Sequence, residues 1–260
     1  YGYGSFVTAF LATKIQARKK ATWLHDEKLY WIKSVQKYID KYDKVYGVSQ
    51  AVVDAFCKEY PQYRDKADVF YNVIDIEEIR RKAEQDEVIP FKDSFNIVTV
   101  GRLTEQKGYD IAIKSASILK KRKINFAWHA IGGGRDEEKL KKLVEEYHLE
   151  NQFVFLGRKD NPYPYMKLSD YITITSDHEG FPVTFLEALV LDKKIISTIE
   201  VSDENIDIKD FGYIVSKNQD KFNEEVYKIL KEDKSKVKHV DFKKINKEKI
   251  NMIDKLIEGE

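Results

Sequence analysis

From residue 95 onward, short β-branched and apolar runs alternate with stretches whose apolar positions recur every three to four residues. The runs Asn96–Val100, Asn125–Ile131, Gln152–Leu156, Tyr171–Thr175, Lys194–Ile199 and Tyr213–Val215 predict strands. Between the first two, Ile111, Ala112, Ser115, Ile118 and Leu119 share one face of a helix expected over Asp110–Lys121. Leu140, Leu143, Val144 and Tyr147 do the same for Asp136–Tyr147. A strand that is apolar on both faces must be covered on both, and helices between such strands supply the cover. With right-handed crossovers, the pattern predicts an α/β fold: a doubly wound, Rossmann-like parallel sheet.

The first ninety-odd residues carry fewer such signals. Lys20–His25, Asp43–Ser49 and Ala67–Val73 predict strands, while Phe6–Arg18, Lys28–Tyr42 and Gln50–Glu59 predict helices, the last capped by Ser49. That is too little for a complete doubly wound sheet, so residues 1–92 are expected to form a partial second Rossmann-like domain. Residues 93–217 form the complete one, and the charged stretch Glu84–Ser94, with Pro90, is the expected linker. Residues 218–260 predict two polar amphipathic helices interrupted near Lys234–Asp241, and the lysines of 231–249 read as a solvated face. The chain opens on Tyr1 and is expected to be a fragment.

Composition narrows the function classes. The 260 residues are 42% hydrophobic and 13% aromatic, ample for a buried core. Lys+Arg 45 against Asp+Glu 44 leaves a formal charge of +1, without the basic surplus that phosphate-backbone binding needs, so nucleic acid is not an expected partner. The single cysteine, Cys57, points to a reducing, cytoplasmic setting. No run reaches the length of about 18 apolar residues of a membrane span. The apolar opening residues precede Lys14, Arg18, Lys19 and Lys20, the reverse of a signal peptide's order.

In an open α/β sheet, ligands bind beyond the carboxyl ends of the strands, so the residues after each run matter most. Gly101-Arg102-Leu103 and Lys107-Gly108 follow the first run, Gly132-Gly133-Gly134 the second and Gly157-Arg158 the third. Asp177-His178-Glu179-Gly180-Phe181-Pro182 follows the fourth. Glycines end many strands and surface cations are common, so any single tip carries little weight. Successive tips bearing glycine, a cation or a carboxylate predict one rim suited to a diphosphate. Arg102 would bind as a planar fork, Lys107 as a mobile charge, and glycine backbone and a helix N-terminus near Pro182 as N–H donors. A dinucleotide is excluded, because Gly132-x-Gly134 is followed by Glu137 where the fingerprint has its third glycine.

Glu179-Gly180-Phe181-Pro182 followed by Leu186-Glu187-Ala188 resembles the Glu-x7-Glu signature of the retaining family 4 glycosyltransferases, also called glycosyl transferases group 1. Gly101–Leu103 with Lys107-Gly108, the Gly132–Gly134 turn and Phe155-Leu156-Gly157 stand in that family's order. The resemblance implies a GT-B fold of two Rossmann-like domains, residues 1–92 being part of the acceptor-side one. It implies catalytic roles for Glu179 beside the transferred sugar, for Arg102 and Lys107 on the diphosphate, and for His25, at the end of Ala21–Asp26, near the donor sugar. Gly101, Gly133, Leu156, Gly157, Gly180, Phe181 and Glu187 are then the remaining donor-binding residues, with Glu187 on the ribose hydroxyls and Leu156 and Gly157 by the base. Asn72–Asp75 resembles the exit toward the interdomain linker. Leu191–Lys194 departs from the family's usual Gly and Pro after the helix.

On that resemblance the chain is expected to be a retaining hexosyltransferase of polysaccharide or glycoconjugate synthesis, taking a nucleotide-diphosphate sugar, with UDP the expected carrier. A sugar, a lipid-linked molecule or another hydroxyl compound is the acceptor. No cofactor is expected, and no metal, since His25, His129, His148, His178 and His239 show no ligand spacing. His178 is read as pointing away from the site or lining its rim. Two alternatives stay open: a non-catalytic nucleotide-sugar-binding or partner subunit, and a GT-B nucleotide-sugar epimerase. A peripheral contact of the segment around Arg18, Lys19 and Lys20 with the inner face of a membrane is the alternative to an ordinary packed helix. The oligomeric state is open.

Overall fold

The computed structural model describes residues 13–29, 32, 36–85, 94–202, 206–233 and 238–258. They divide into two compact units, one falling within residues 1–74, 178–182 and 241–260 and the other within residues 75–177 and 183–240.

In the first unit, β1 (Ala21–Leu24), β2 (Lys44–Gly47) and β3 (Ala67–Val69) form a parallel sheet in that order. Helix α1 (Gln50–Glu59) follows β2, and its N-cap Ser49 accepts from the Val52 N–H at 3.3 Å, as the sequence predicts. Its Val52, Phe56 and Cys57 are buried. The unit closes with α8 (Phe242–Glu258), where Asn246 donates to the Ile74 carbonyl at 2.7 Å and the Ile257 carbonyl accepts from Arg18 at 3.1 Å.

In the second unit, β4 (Phe95–Val100), β5 (Phe126–Ile131), β6 (Phe153–Gly157), β7 (Tyr171–Ile174), β8 (Lys194–Ser197) and β9 (Gly212–Ile214) pair in parallel. Their order is β6-β5-β4-β7-β8-β9, so the sheet grows one way from β4 and then the other. The reversal lies between β4 and β7, and at such a switch point the outgoing loops separate and open a crevice at the carboxyl ends. Helices α2 (Ile76–Ala83), α3 (Tyr109–Lys121), α4 (Glu137–Glu146), α5 (Tyr163–Leu168), α6 (Val183–Val190) and α7 (Gln219–Glu232) connect or flank the strands. Ala116 and Leu119 of α3, Phe222 and Val226 of α7, and Trp128 and Phe153 of the strands share one buried core. Within it Thr99 accepts from the Trp128 indole at 2.9 Å and bonds Thr173, so the polar atoms of adjacent strands satisfy one another.

Some expectations are corrected. Over Lys28–Tyr42, residues 30, 31 and 33–35 lie outside the described residues, Gln36–Lys41 form a 3-10 turn, and no helix starts at Lys28. There the Asp26 carboxylate accepts from the Lys28 N–H at 2.9 Å, a local turn that competes with a helical start. Of Phe6–Arg18, residues 6–12 lie outside the described residues, and residues 13–18 are turn and irregular backbone. The strand foreseen over Ala67–Val73 stops at Val69, because its partner β2 ends at Gly47, whose carbonyl takes the Phe70 N–H at 2.9 Å. Of the linker Glu84–Ser94 and the interruption Lys234–Asp241, residues 86–93 and 234–237 are outside the described residues.

Two helices escaped the reading. Helix α2 begins at an Asp75 whose side chain accepts from the Glu78 N–H at 2.9 Å, and it buries Ile76, Ile79 and Ala83. Helix α5 follows Pro162 and is a short turn with two prolines near its start. After α6 the chain turns through Asp192, which takes a left-handed φ of 54°, within the stretch Leu191–Lys194.

Candidate functional site

In the second unit, backbone hydrogen bonds join the strand tips. Gly101 N–H donates to the Ile131 carbonyl at 3.0 Å, Leu103 N–H to Gly133 at 3.1 Å and Gly132 N–H to Gly157 at 2.9 Å. Across the switch point, Thr175 donates its hydroxyl to the Lys107 carbonyl at 2.7 Å, and Asp177 N–H reaches the Gln106 carbonyl at 2.8 Å. Gly108 makes this contact possible: its φ is 61°, and a β-carbon there would overlap the Thr175 carbonyl. The loops after β4, β5, β6 and β7 thus form one rim, bringing together Gly101, Arg102, Lys107, Gly133 and Gly157, with Leu156 one residue before the last tip.

The rim's cations and open backbone suit an anion. Arg102 is exposed, beside a Leu103 that is wholly buried, so an anchored backbone carries a side chain directed outward. Among the described residues, Arg102 has no carboxylate partner. A β-carbon built on Gly101 would lie 3.5 Å from Cδ and Cε of Lys107, so the lysine stem crosses the tip of β4. The buried Tyr109 donates its hydroxyl to the Gly101 carbonyl at 3.0 Å and holds that tip from below. A β-carbon on Gly133 would meet only the Glu137 carboxylate, at 4.0 Å, and one on Gly157 nothing within 4 Å. The fold itself does not fill the space over these two glycines, so a ligand can approach their backbone closely.

Glu187 lies on α6, and its Oε1 accepts from the Tyr163 hydroxyl of α5 at 2.9 Å. Burial raises its carboxyl pKa above the ordinary value, and the Tyr163 hydrogen bond opposes that rise. The same burial, followed by the neighbouring Glu187 charge, pushes the Tyr163 phenol upward. Sequence reasoning selected Glu187 and missed Tyr163. Its signal was a Pro-led helical turn after the third strand tip, too short to register as a helix.

The other predicted residues belong to the first unit. His25 follows β1, and burial lowers the pKa of its imidazole, favouring the neutral ring. Segment 178–182 is fastened there. His178 Nε2 lies 3.6 Å from the Asp26 carboxylate. The Phe181 carbonyl accepts from the Asn72 amide at 3.0 Å, and its buried ring meets Tyr71 at 5.5 Å between centroids. Gly180 has no room for a side chain, since a β-carbon would overlap the His25 carbonyl and come within 2.9 Å of Val48. Glu179 is carried on this segment, half-buried, between His178 and the tightly fitted Gly180. Asp26 was not foreseen, though it stands next to His25.

Among the described residues no helix is long and apolar enough to cross a membrane, and no group of three or more His, Cys, Asp or Glu side chains is arranged to hold a metal.

The family model for glycosyl transferases group 1 matches residues 80–248. An uncharacterized glycosyltransferase of Methanocaldococcus jannaschii is 31% identical over 167 residues, covering 62% of this chain and 41% of that protein. The N-acetylgalactosamine-N,N'-diacetylbacillosaminyl-diphospho-undecaprenol 4-alpha-N-acetylgalactosaminyltransferase of Campylobacter jejuni is 31% identical over 172 residues, covering 65% and 46%. The chain therefore spans less than half the length of these two relatives. Among solved structures, Anabaena HepE in complex with UDP superposes with a TM-score of 0.72 at 16% identity, covering 95% of this chain and 74% of that one. At that identity the likeness concerns the fold, which is the GT-B type with Rossmann-like parallel sheets.

Proposed function

The chain belongs to the glycosyl transferases group 1 family, and we propose that it carries the donor-binding machinery of a glycosyltransferase that moves a sugar from a nucleoside diphosphate to an acceptor hydroxyl with retention of configuration. The observation that carries this reading is the joined rim of the second unit. There, glycine backbone, an outward-directed Arg102 and a Lys107 laid across Gly101 gather at the switch point of the sheet.

The chemistry follows from charge. Cleaving the bond between sugar and phosphate leaves negative charge on the departing diphosphate. Arg102 and Lys107 oppose that charge, which lowers the barrier most where their positions are set beforehand. The backbone bonds of Lys107 and Gln106 to the loop after β7 support such preorganisation for the Lys107 segment. Retention follows most simply from attack on the face the diphosphate leaves, with a phosphate oxygen taking the acceptor's proton. Glu179 and His25 are proposed to act at the transferred sugar, and Glu187 on the ribose hydroxyls. The roles of Gly101, Gly133, Leu156, Gly157, Gly180 and Phe181 in donor binding are part of the same proposal.

A UDP-linked hexose is the proposed donor, supported by the solved HepE complexes with UDP and UDP-glucose. A lipid-linked or saccharide acceptor in polysaccharide or glycoconjugate synthesis is supported by the name of the Campylobacter relative and by a relative named for colanic acid biosynthesis.

Titration of UDP into this chain tests the reading. Arg102→Ala is expected to weaken UDP by about tenfold to a hundredfold, the loss of one charge-assisted contact, while the melting temperature without ligand stays within about 2 °C, because Arg102 is exposed. Equal UDP affinity in the two proteins would refute the assignment.

A further inference from the structure

Helix α2 packs against both α5 and α6, and Glu187 lies buried on α6. Burial alone would favour its neutral, protonated form, which offers a ligand one oxygen fewer as a strong acceptor. The Tyr163 hydroxyl donates to Oε1 at 2.9 Å, and this bond favours the carboxylate. The tyrosine is itself held. Asn161 Oδ1 accepts from the Tyr163 N–H at 3.3 Å, and the Asn161 amide donates to the Lys82 carbonyl at the end of α2, 2.9 Å away. A second link, Lys167 to Glu84 at 2.7 Å, fastens the other end of α5.

The charged groups around the pair leave Tyr163 as the one that matters. Helix α6 carries no other titratable residue than Glu187. From α2, Glu78 acts on the phenol, but its charge is offset by Arg81 at 2.6 Å and Lys82 at 3.2 Å. A tyrosine hydroxyl has one proton to give, and it points at Oε1. Orienting the carboxylate from that side leaves Oε2 and the remaining lone pair of Oε1 for donors approaching from elsewhere.

We propose that Tyr163 is a positioning residue for nucleotide recognition: its hydroxyl fixes the Glu187 carboxylate, ionised and in one orientation, to accept both vicinal hydroxyls of the donor's ribose. The inference rests on the reading of Glu187 given above and goes beyond it. Tyr163 touches no reacting atom. It acts through Glu187 and so affects donor binding more than turnover.

The test compares UDP with its 2′,3′-dideoxy analogue by calorimetric titration into the full chain, as wild type and as Tyr163→Phe. The expected wild type prefers UDP. In Tyr163→Phe, UDP weakens by about tenfold, the dideoxy analogue is unchanged, and the pH below which UDP binding fails moves upward because Glu187 has lost the bond that favours its charge. If the variant weakens both ligands alike, or neither, Tyr163 does not act through Glu187 and the inference falls. If wild type binds the two ligands equally, the ribose role of Glu187 fails, and the inference with it. A Glu187→Ala background, which has no acceptor for the Tyr163 hydroxyl, guards against misfolding of the single variant: there, Tyr163→Phe is expected to cost UDP affinity nothing further, and an additive loss would overturn the proposal.

Discussion

At the end of the second unit's sheet away from Arg102, one carboxylate gathers three elements. Asp233, the C-cap of α7, accepts from the Tyr171 hydroxyl at 2.7 Å, the Tyr213 hydroxyl at 2.6 Å and the Lys194 ammonium at 2.7 Å. Tyr171 opens β7, Lys194 opens β8 and Tyr213 lies in β9, so the carboxylate ties α7 to the amino ends of β7 and β8 and to β9. The Asp233 side chain is 1% exposed and that of Lys194 21%. Replacing Asp233 by Ala leaves a mostly buried ammonium and two phenols without their acceptor. Removing one partner from a buried ion pair costs about 3–5 kcal/mol, since the remaining charge stays desolvated. Against about 2–4 °C per kcal/mol for a domain of this size, that is roughly 10 °C in melting temperature. Asp233→Asn keeps the shape and one good acceptor but loses the charge, and is expected to cost about half as much. Calorimetric or circular-dichroism melts measure both. UDP affinity, measured below either transition, is expected to be unchanged, because the cluster sits on the opposite strand ends. A melting temperature for Asp233→Ala within about 2 °C of wild type would refute the claim that these bonds hold the sheet together.

Two further expectations concern local chemistry. Gly108→Ala places a β-carbon on the Thr175 carbonyl in a left-handed conformation and is expected to destabilise by about 2 kcal/mol or more. Gly133→Ala, with nothing nearer than 4.0 Å, is expected to leave the melting temperature alone and to weaken UDP, so the two melts and titrations separate a glycine the fold needs from one the ligand needs. The third concerns pH. Burial lowers the His129 pKa from 6.5 to about 4. The unfolded chain therefore binds this proton first as pH falls, and the stability it favours is complete above pH 6.5, declines toward pH 4 and is not lost further below that. A fully shielded ring would account for about 3 kcal/mol, and partial exposure reduces this to ~2. Urea melts of wild type and His129→Gln across that range are expected to diverge toward neutral pH in favour of wild type; parallel curves would count against the shielding.

Much of the second unit was legible in the sequence. Strands such as Tyr171–Ile174 are buried throughout, so their apolar runs stand out whatever lies beside them. The tips were legible too, since glycine and cations directly after such a run report a local need for close backbone approach or charge. The reading failed where a segment's conformation depends on distant partners. Helix α2 is rich in Glu and Arg, and its few apolar residues, Ile76, Ile79 and Ala83, matter only because α5 and α6 cover them. The expected helix over Lys28–Tyr42 was not realised from its start because the single side chain of Asp26 turned the chain locally.

By itself, then, the order of residues determined the alternation of strand and helix in the second unit and the set of chemical groups offered at its tips, because both depend on spacings of a few residues. Only the tertiary structure decided which groups meet. Tyr163 and Glu187 are 24 positions apart, Tyr171 and Asp233 are 62, and Thr175 and Lys107 are 68. Such pairings follow from the strand order β6-β5-β4-β7-β8-β9, and that order is settled by burial of whole faces against one another, a free energy that no short stretch of chain expresses.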